Sequence, residues 1–191
     1  MKNFSALCFM MFVLLFSFVQ LPYTVAAVGE DFLPPYVFTI PIENATCTTE
    51  YNPKEINRTH NLLMAVDIIN GRVIAPGEVF SFNNETGPTT KETGYKQAKI
   101  FVRGKEKQGY GGGICQVSST LYSAAKSAGF RIVERHAHCR RVYYVPEGRD
   151  AAVAYGSVDF KFENNMDYPV IIICFAEDGL LTVALEMVVG Y

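Results

Sequence analysis

The sequence predicts an α+β fold in a single domain: a mixed, mainly antiparallel sheet with two principal helices, and Cys115 at the N-terminus of the second. Three observations carry that expectation. Apolar residues recur at helical spacing in two separate stretches, 57–70 and 115–128. Short alternating or continuously apolar runs surround them. The last third of the chain consists almost wholly of such runs, which favours a strand-rich region beside helices over a doubly wound sheet.

The segments follow in order. Gly29 to Pro41 is proline-rich and reads as a linker or an irregular first strand, and Thr39 to Tyr51 can be extended. Asn57-Arg58-Thr59 opens a helix to Asn70, with Leu62, Leu63, Val66 and Ile69 on its apolar face and Asn70-Gly71 as the left-handed stop. Arg72 to Ile74 is a short strand, Pro76-Gly77 a turn, and Val79-Phe80-Ser81-Phe82 alternates as a strand does. After the Gly87-Pro88 turn, Ala98 to Arg103 is strand-like and leads through a charged loop into Gly111-Gly112-Gly113. The second helix spans Cys115 to Ala128, with Val117, Leu121, Ala124 and Ala128 on one face and Gly129 as its stop. Phe130 to Arg135 continues as a strand into His136-Ala137-His138, and Tyr143 to Asp150 is a loop. Val153 to Phe162, Val170 to Phe175 and Leu181 to Val188 read as strands, joined by turns at Asn164-Asn165 and Asp178-Gly179.

Composition excludes some functions. The chain has 191 residues, 49% of them hydrophobic, which is enough to bury a core. Its formal net charge is -2 and its basic residues are scattered, apart from Arg140-Arg141 and the Lys105, Lys107 pair. That argues against a nucleic-acid partner, which needs a basic face to displace counterions. Lys2, the apolar stretch Phe4 to Val19, Gln20, Pro22 and the small residues Val25-Ala26-Ala27 form a secretory signal over residues 1–27, ahead of a domain at 28–191. The apolar stretch is shorter than the ~20 residues of a spanning helix. If uncleaved, it would be the chain's membrane attachment. A secreted or cell-envelope location is expected.

Cys8 falls inside the signal, leaving Cys47, Cys115, Cys139 and Cys174. An even number outside the cytoplasm suggests disulfides, with three pairings open if all are bridged. The absence of Cys-x-x-Cys argues against a zinc ribbon. Cys115 is expected to be free, and Cys47 and Cys174 either bridged or buried.

Cys115 has the setting of a nucleophile. Glycines admit positive φ and close approach, and a helix N-terminus offers unpaired N–H groups and partial positive charge that favour a thiolate and an oxyanion. The alternative is a tight loop with a small buried cysteine. Two of the three histidines, His136 and His138, follow the helix on the returning segment, where either can reach back to its start as base. His-x-His is also a metal-ligand pair, which would need a third ligand such as Cys139 or Cys115; no cofactor is expected. His60 reads as structural or capping. Asp150 can orient the base histidine and Arg149 can clamp a substrate carboxylate, or the two can pair to tie down their loop. Tyr144 can line the cleft, and Gly112, Gly113, Gln116 and Ser118 around the helix start are the remaining candidates for substrate contact.

The run Gly111 to Tyr122 resembles the signature of VanW domains. So do Ile132 to His138, Tyr144 to Ala151, Asn57-Arg58-Thr59-His60-Asn61, Pro76 to Phe82 and Tyr155 to Asp159, a resemblance spanning roughly residues 38–170. Some VanW domains are regarded as cysteine-dependent L,D-transpeptidases. The resemblance therefore implies that Cys115 attacks a peptidoglycan stem peptide after its third residue, releases the terminal D-alanine, and passes the acyl group to a second stem or to water. The same cleft in a non-catalytic protein would bind wall peptides and serve glycopeptide resistance as an accessory. Two departures stand out. Cys139 takes the place of the family's usual serine and raises a disulfide with Cys115, and the chain lacks the further wall-binding modules of many members, so substrate capture is expected to rest on this domain or on a partner.

Overall fold

A computed structural model describes residues 37–102 and 104–190. The signal expected at 1–27 lies outside the described residues, and among these no helix is long and apolar enough to cross a membrane. The chain runs β1 (Val37–Glu50), α1 (Ile56–Ile69), β2 (Val73–Ile74), β3 (Val79–Ser81), α2 (Phe82–Thr86), β4 (Gln97–Val102), β5 (Lys105–Tyr110), α3 (Ile114–Ser127), β6 (Arg131–Glu134), β7 (Lys161–Glu163), β8 (Val170–Glu177) and β9 (Leu180–Gly190).

The strands form a four-stranded sheet ordered β1-β9-β8-β2, a three-stranded sheet ordered β3-β7-β6 and the hairpin β4-β5. Every pairing among them is antiparallel. The α+β expectation holds.

The β8–β9 hairpin follows from Asp178-Gly179, both at positive φ (50° and 81°), as a two-residue turn matched to strand twist requires. β1 is an edge strand, which is where Pro41 is tolerated. Its register breaks between Pro41 and Thr46, where Asn44 sits at φ 60°, so the strand bulges and turns Ala45 fully into the core.

α3 packs on β1 and β9, and α1 on β8 and α3. Their meeting faces supply Leu62, Ala65 and Ile69 from α1 and Val117, Leu121, Ala124 and Ala125 from α3, all completely buried. Each Leu, Ile or Val among them contributes roughly 1.5–3 kcal/mol on burial, and each Ala less. Leu63, read as part of the α1 face, instead lies at the surface; Ala65 takes the inward position.

Three segments differ from expectation. The charged loop before the glycines is strand β5, whose residues are all exposed or half-buried, so it leaves no buried alternation to read. Phe82–Thr86 forms a short helix started by the Ser81 hydroxyl, which accepts from the Asn84 N–H at 3.2 Å. The strand expected from Val153 shrinks to Lys161–Glu163 with an isolated bridge between Ala154 and Val158. The backbone just before it is taken by side chains of α3, described below.

Asn61, completely buried in α1, ties the core to the glycine turn. Its amide nitrogen donates to the carbonyls of Lys96 (3.0 Å) and Gly112 (2.9 Å), and its oxygen accepts the Lys96 N–H at 2.7 Å. Asn61→Ala strands these groups and is expected to lower stability by about 2 kcal/mol, read as a drop in the urea midpoint without a change in slope.

Candidate active site

The glycine turn is built by close backbone approach. A Cβ on Gly112 would lie 2.5 Å from the Lys99 carbonyl oxygen of β4, and one on Gly113 would lie 2.7 Å from the Arg58 carbonyl oxygen of α1. Gly113 also sits at φ 116°, outside the range of ordinary L residues. The room these glycines make is filled by neighbouring main chain, so Gly112 and Gly113 set the helix start against β4 and α1. Cys115 is then the second residue of α3.

From that start, one face of α3 lies along the extended segment 149–153. Ser123 Oγ donates to the Arg149 carbonyl (2.9 Å) and Ser118 Oγ to that of Ala151 (2.7 Å). Ser119 Oγ accepts the Ala151 N–H (2.9 Å), and Cys115 Sγ donates to the Val153 carbonyl at 3.5 Å. Helix positions 115, 119 and 123 thus meet chain positions 153, 151 and 149. Four residues of helix rise about 6 Å and two residues of extended chain about 6.6 Å, so the two repeats keep step.

The segment brings Asp150 with it. Its carboxylate Oδ2 accepts both the backbone N–H of His138 (2.6 Å) and the ring Nδ1 of His138 (2.7 Å), while Oδ1 accepts from Arg135 Nη2 at 2.6 Å. Arg135 also donates through Nε to the Asp150 carbonyl at 2.6 Å and lies over the Tyr122 ring, 5.3 Å from its centroid. With Nδ1 occupied by Asp150, Nε2 is the ring nitrogen left for Cys115, which lies near enough to act on the imidazole.

Burial alone would push the His138 pKa down, but the hydrogen bonds and charge interactions with Cys115 and then Asp150 outweigh it and hold it above 6.5. Burial likewise raises Asp150, yet its bonds from His138 and the charge of Arg135 bring it below 3.8. Tyr144 completes the wall: burial, and next the Cys115 beside it, push its hydroxyl above the ordinary phenol range, against a hydrogen bond to Ser119 and the charge of Arg58.

The VanW-like protein family model matches residues 57–186, more than half of the chain and the whole of this site. The chain belongs to the VanW family. It is 44% identical over 137 residues to the uncharacterized protein YoaR of Bacillus subtilis strain 168, covering 72% of this chain and 45% of that protein. To the vancomycin B-type resistance protein VanW of Enterococcus faecalis strain ATCC 700802 / V583 it is 30% identical over 146 residues, covering 73% of this chain and 53% of that one. The chain spans about half the length of these curated relatives. No solved structure matches it.

Within this VanW domain the structure separates the two histidines. β6 ends at Glu134, so strand alternation no longer governs 136 and 138. His138 turns to Asp150 and Cys115, whereas the exposed His136 Nε2 meets Glu134 Oε1 at 3.0 Å. Among the described residues no three of His, Cys, Asp and Glu gather as a metal-ligand set. His60 bonds the Gly94 carbonyl through Nε2 at 3.1 Å.

Arg149 is not brought to Cys115. Its guanidinium donates to Ser127 Oγ at the other end of α3, roughly 18 Å along the axis at 1.5 Å per residue. Gln116 and Ser118 are buried and engaged internally. Gln116 donates to Thr49 Oγ1 (3.0 Å) and the Glu50 carbonyl (2.8 Å) and accepts from Arg58 Nη2 at 2.6 Å. The cation beside the site is therefore Arg58, held by Gln116 and by Glu55 at 3.6 Å. Sequence reasoning missed Arg58, Arg135 and Ser119 as site residues. Arg58 lay within a block that carried the family resemblance, but no spacing rule points from α1 to α3.

Cys47, Cys115, Cys139 and Cys174 are free thiols. Cys139 is exposed beside His138, and Cys174 is buried, its thiol pushed up to about 12 chiefly by burial.

The two shifts define a pH window. Asp150, lowered in the fold, contributes stability present above its unfolded value near 3.8 and lost as pH falls through its folded value. His138, raised, contributes stability present below 6.5 and lost as pH rises through its folded value. Their joint contribution is complete between those two pH values. Urea midpoints measured across pH are expected to peak there, and Asp150→Asn to flatten the profile.

Proposed function

We propose that this protein is an exported cell-envelope cysteine acyltransferase acting on peptidoglycan stem peptides. One observation carries the reading: a buried carboxylate holds Nδ1 of the His138 imidazole and fixes its tautomer, while the Cys115 thiol is near enough to raise the imidazole's pKa. That is the arrangement of a base-activated nucleophile with an orienting group. Membership of a family that includes a vancomycin resistance protein supports the cell wall as the setting.

In the first half-reaction His138 Nε2 takes the thiol proton and Sγ attacks the amide carbonyl carbon after the third stem residue. The carbonyl π electrons move to oxygen, and the Cys115 N–H at the helix start donates to that oxyanion. As the intermediate collapses the C–N bond breaks, the leaving amine takes the proton from His138, and a thioester remains. In the second half-reaction an amine of another stem attacks the thioester, gives its proton to His138, and the thiolate leaves. The product is a 3-3 cross-link; with water as acceptor it is a trimmed peptide. Arg58 supplies positive charge for a carboxylate of the acyl donor. Asp150 keeps the imidazole aimed and stabilises its cationic form.

Disaccharide-tetrapeptide incubated with the purified, reduced protein is expected to lose D-alanine and to yield a thioester adduct on Cys115, both read by mass spectrometry. Cys115→Ala abolishes both while the circular dichroism spectrum is unchanged, and Asp150→Asn lowers turnover by at least about a hundredfold. Absence of any product with intact substrate and a reduced thiol would overturn the enzymatic reading in favour of a wall-binding accessory.

A further inference from the structure

We infer that a cavity on the His138 side of the site binds the free C-terminal carboxylate of the residue released, with Arg141 as its partner, and so restricts the enzyme to unblocked chain ends. The inference rests on the acyl-transfer reading above. A cavity of about 340 Å³ has His138 and Asp150 in its wall together with Arg135, Arg140, Arg141 and Glu147.

Mechanism assigns this cavity before charge does. The group that protonates the leaving amine must face it, and the incoming amine must later reach the same nitrogen. The leaving and accepting amines therefore occupy the side of Cys115 where the imidazole stands. A second cavity, walled by Arg58, Asn57, Ala98 and Lys99, has no histidine in its lining and falls to the acyl donor.

The charges of the first cavity are unequal in availability. Arg135 is neutralised by Asp150 at 2.6 Å. Arg140 is occupied with the β4–β5 hairpin, its guanidinium 5.6 Å from the Phe101 centroid and its Nη1 3.4 Å from the Gly104 carbonyl. Arg141 is exposed, lines the cavity and has no carboxylate partner among the described residues. Glu147, also exposed, pairs with neither Arg140 nor Arg141. A guanidinium free to bind two oxygens suits a carboxylate, and Glu147 suits the ammonium of an amine on its way in or out. Val142 and Pro146 give the same wall an apolar part, enough for a small side chain such as a methyl group.

The test reads binding, without turnover. Full-length Cys115→Ala protein is titrated calorimetrically with a stem tetrapeptide ending in a free carboxylate and with the same peptide ending in a carboxamide. The carboxylate form is expected to bind at least about tenfold tighter, as loss of a charge-assisted pair implies. Adding Arg141→Gln, at an exposed position that leaves the fold intact, removes that preference. Equal affinities in the parent, or a preference that survives Arg141→Gln, would each overturn the inference. A protein that discriminates the two peptides but never turns them over retains the carboxylate site and loses the acyl-transfer reading. One that releases D-alanine without discriminating does the reverse.

Discussion

The match between the α3 repeat and the extended 149–153 segment is the contact on which the site depends. Three helix positions a turn apart bond three chain positions two residues apart, and each bond places something. The Ser123 end anchors the loop, the Ser119 position fixes Ala151, and the Cys115 end aims the thiol. Asp150, between two anchored residues, has little freedom left, and through its carboxylate neither has His138. The hydroxyls involved are buried, where an unmade bond costs about 1–3 kcal/mol, so the arrangement is held by the penalty for breaking it.

The polar side of α3 is interior as well as its apolar face. Gln116, Ser118, Ser119, Thr120 and Ser123 are all buried although polar, and the helix is covered on nearly every side. One flank bonds to β1 through Thr49 and Glu50, the other to the 149–153 segment. A hydrophobic face at 3.6-residue spacing gives the helix and its limits, but it cannot say that the opposite face is also interior.

The sequence was most legible where local rules decide structure. Asn70-Gly71 and Gly129 end helices, Asp178-Gly179 makes a hairpin, and apolar periodicity locates both long helices within a residue or two. It was least legible where a segment owes its conformation to distant partners. β5 is a strand because β4 pairs with it, and Val153 is not in one because α3 takes its carbonyl. The candidate site divides in the same way. Cys115 is marked by its own neighbours, and Asp150 and His138 sit in recognisable blocks. Arg58 and Arg149 exchange places in importance, since which guanidinium lies near the start of α3 is settled by how α1 and α3 pack.

The cysteines of the large sheet carry a final consequence. Cys47 on β1 and Cys174 on β8 both stand opposite Val183 of β9, one on each side. Two strand spacings, about 9.5 Å, separate their backbones, beyond the roughly 7 Å a disulfide can bridge. The sheet thus insulates two thiols from each other by geometry, whatever the redox poise around them, and oxidising them as a pair would require tearing β9 out of the middle. Of the four, Cys139, next to His138, is the thiol that stands exposed.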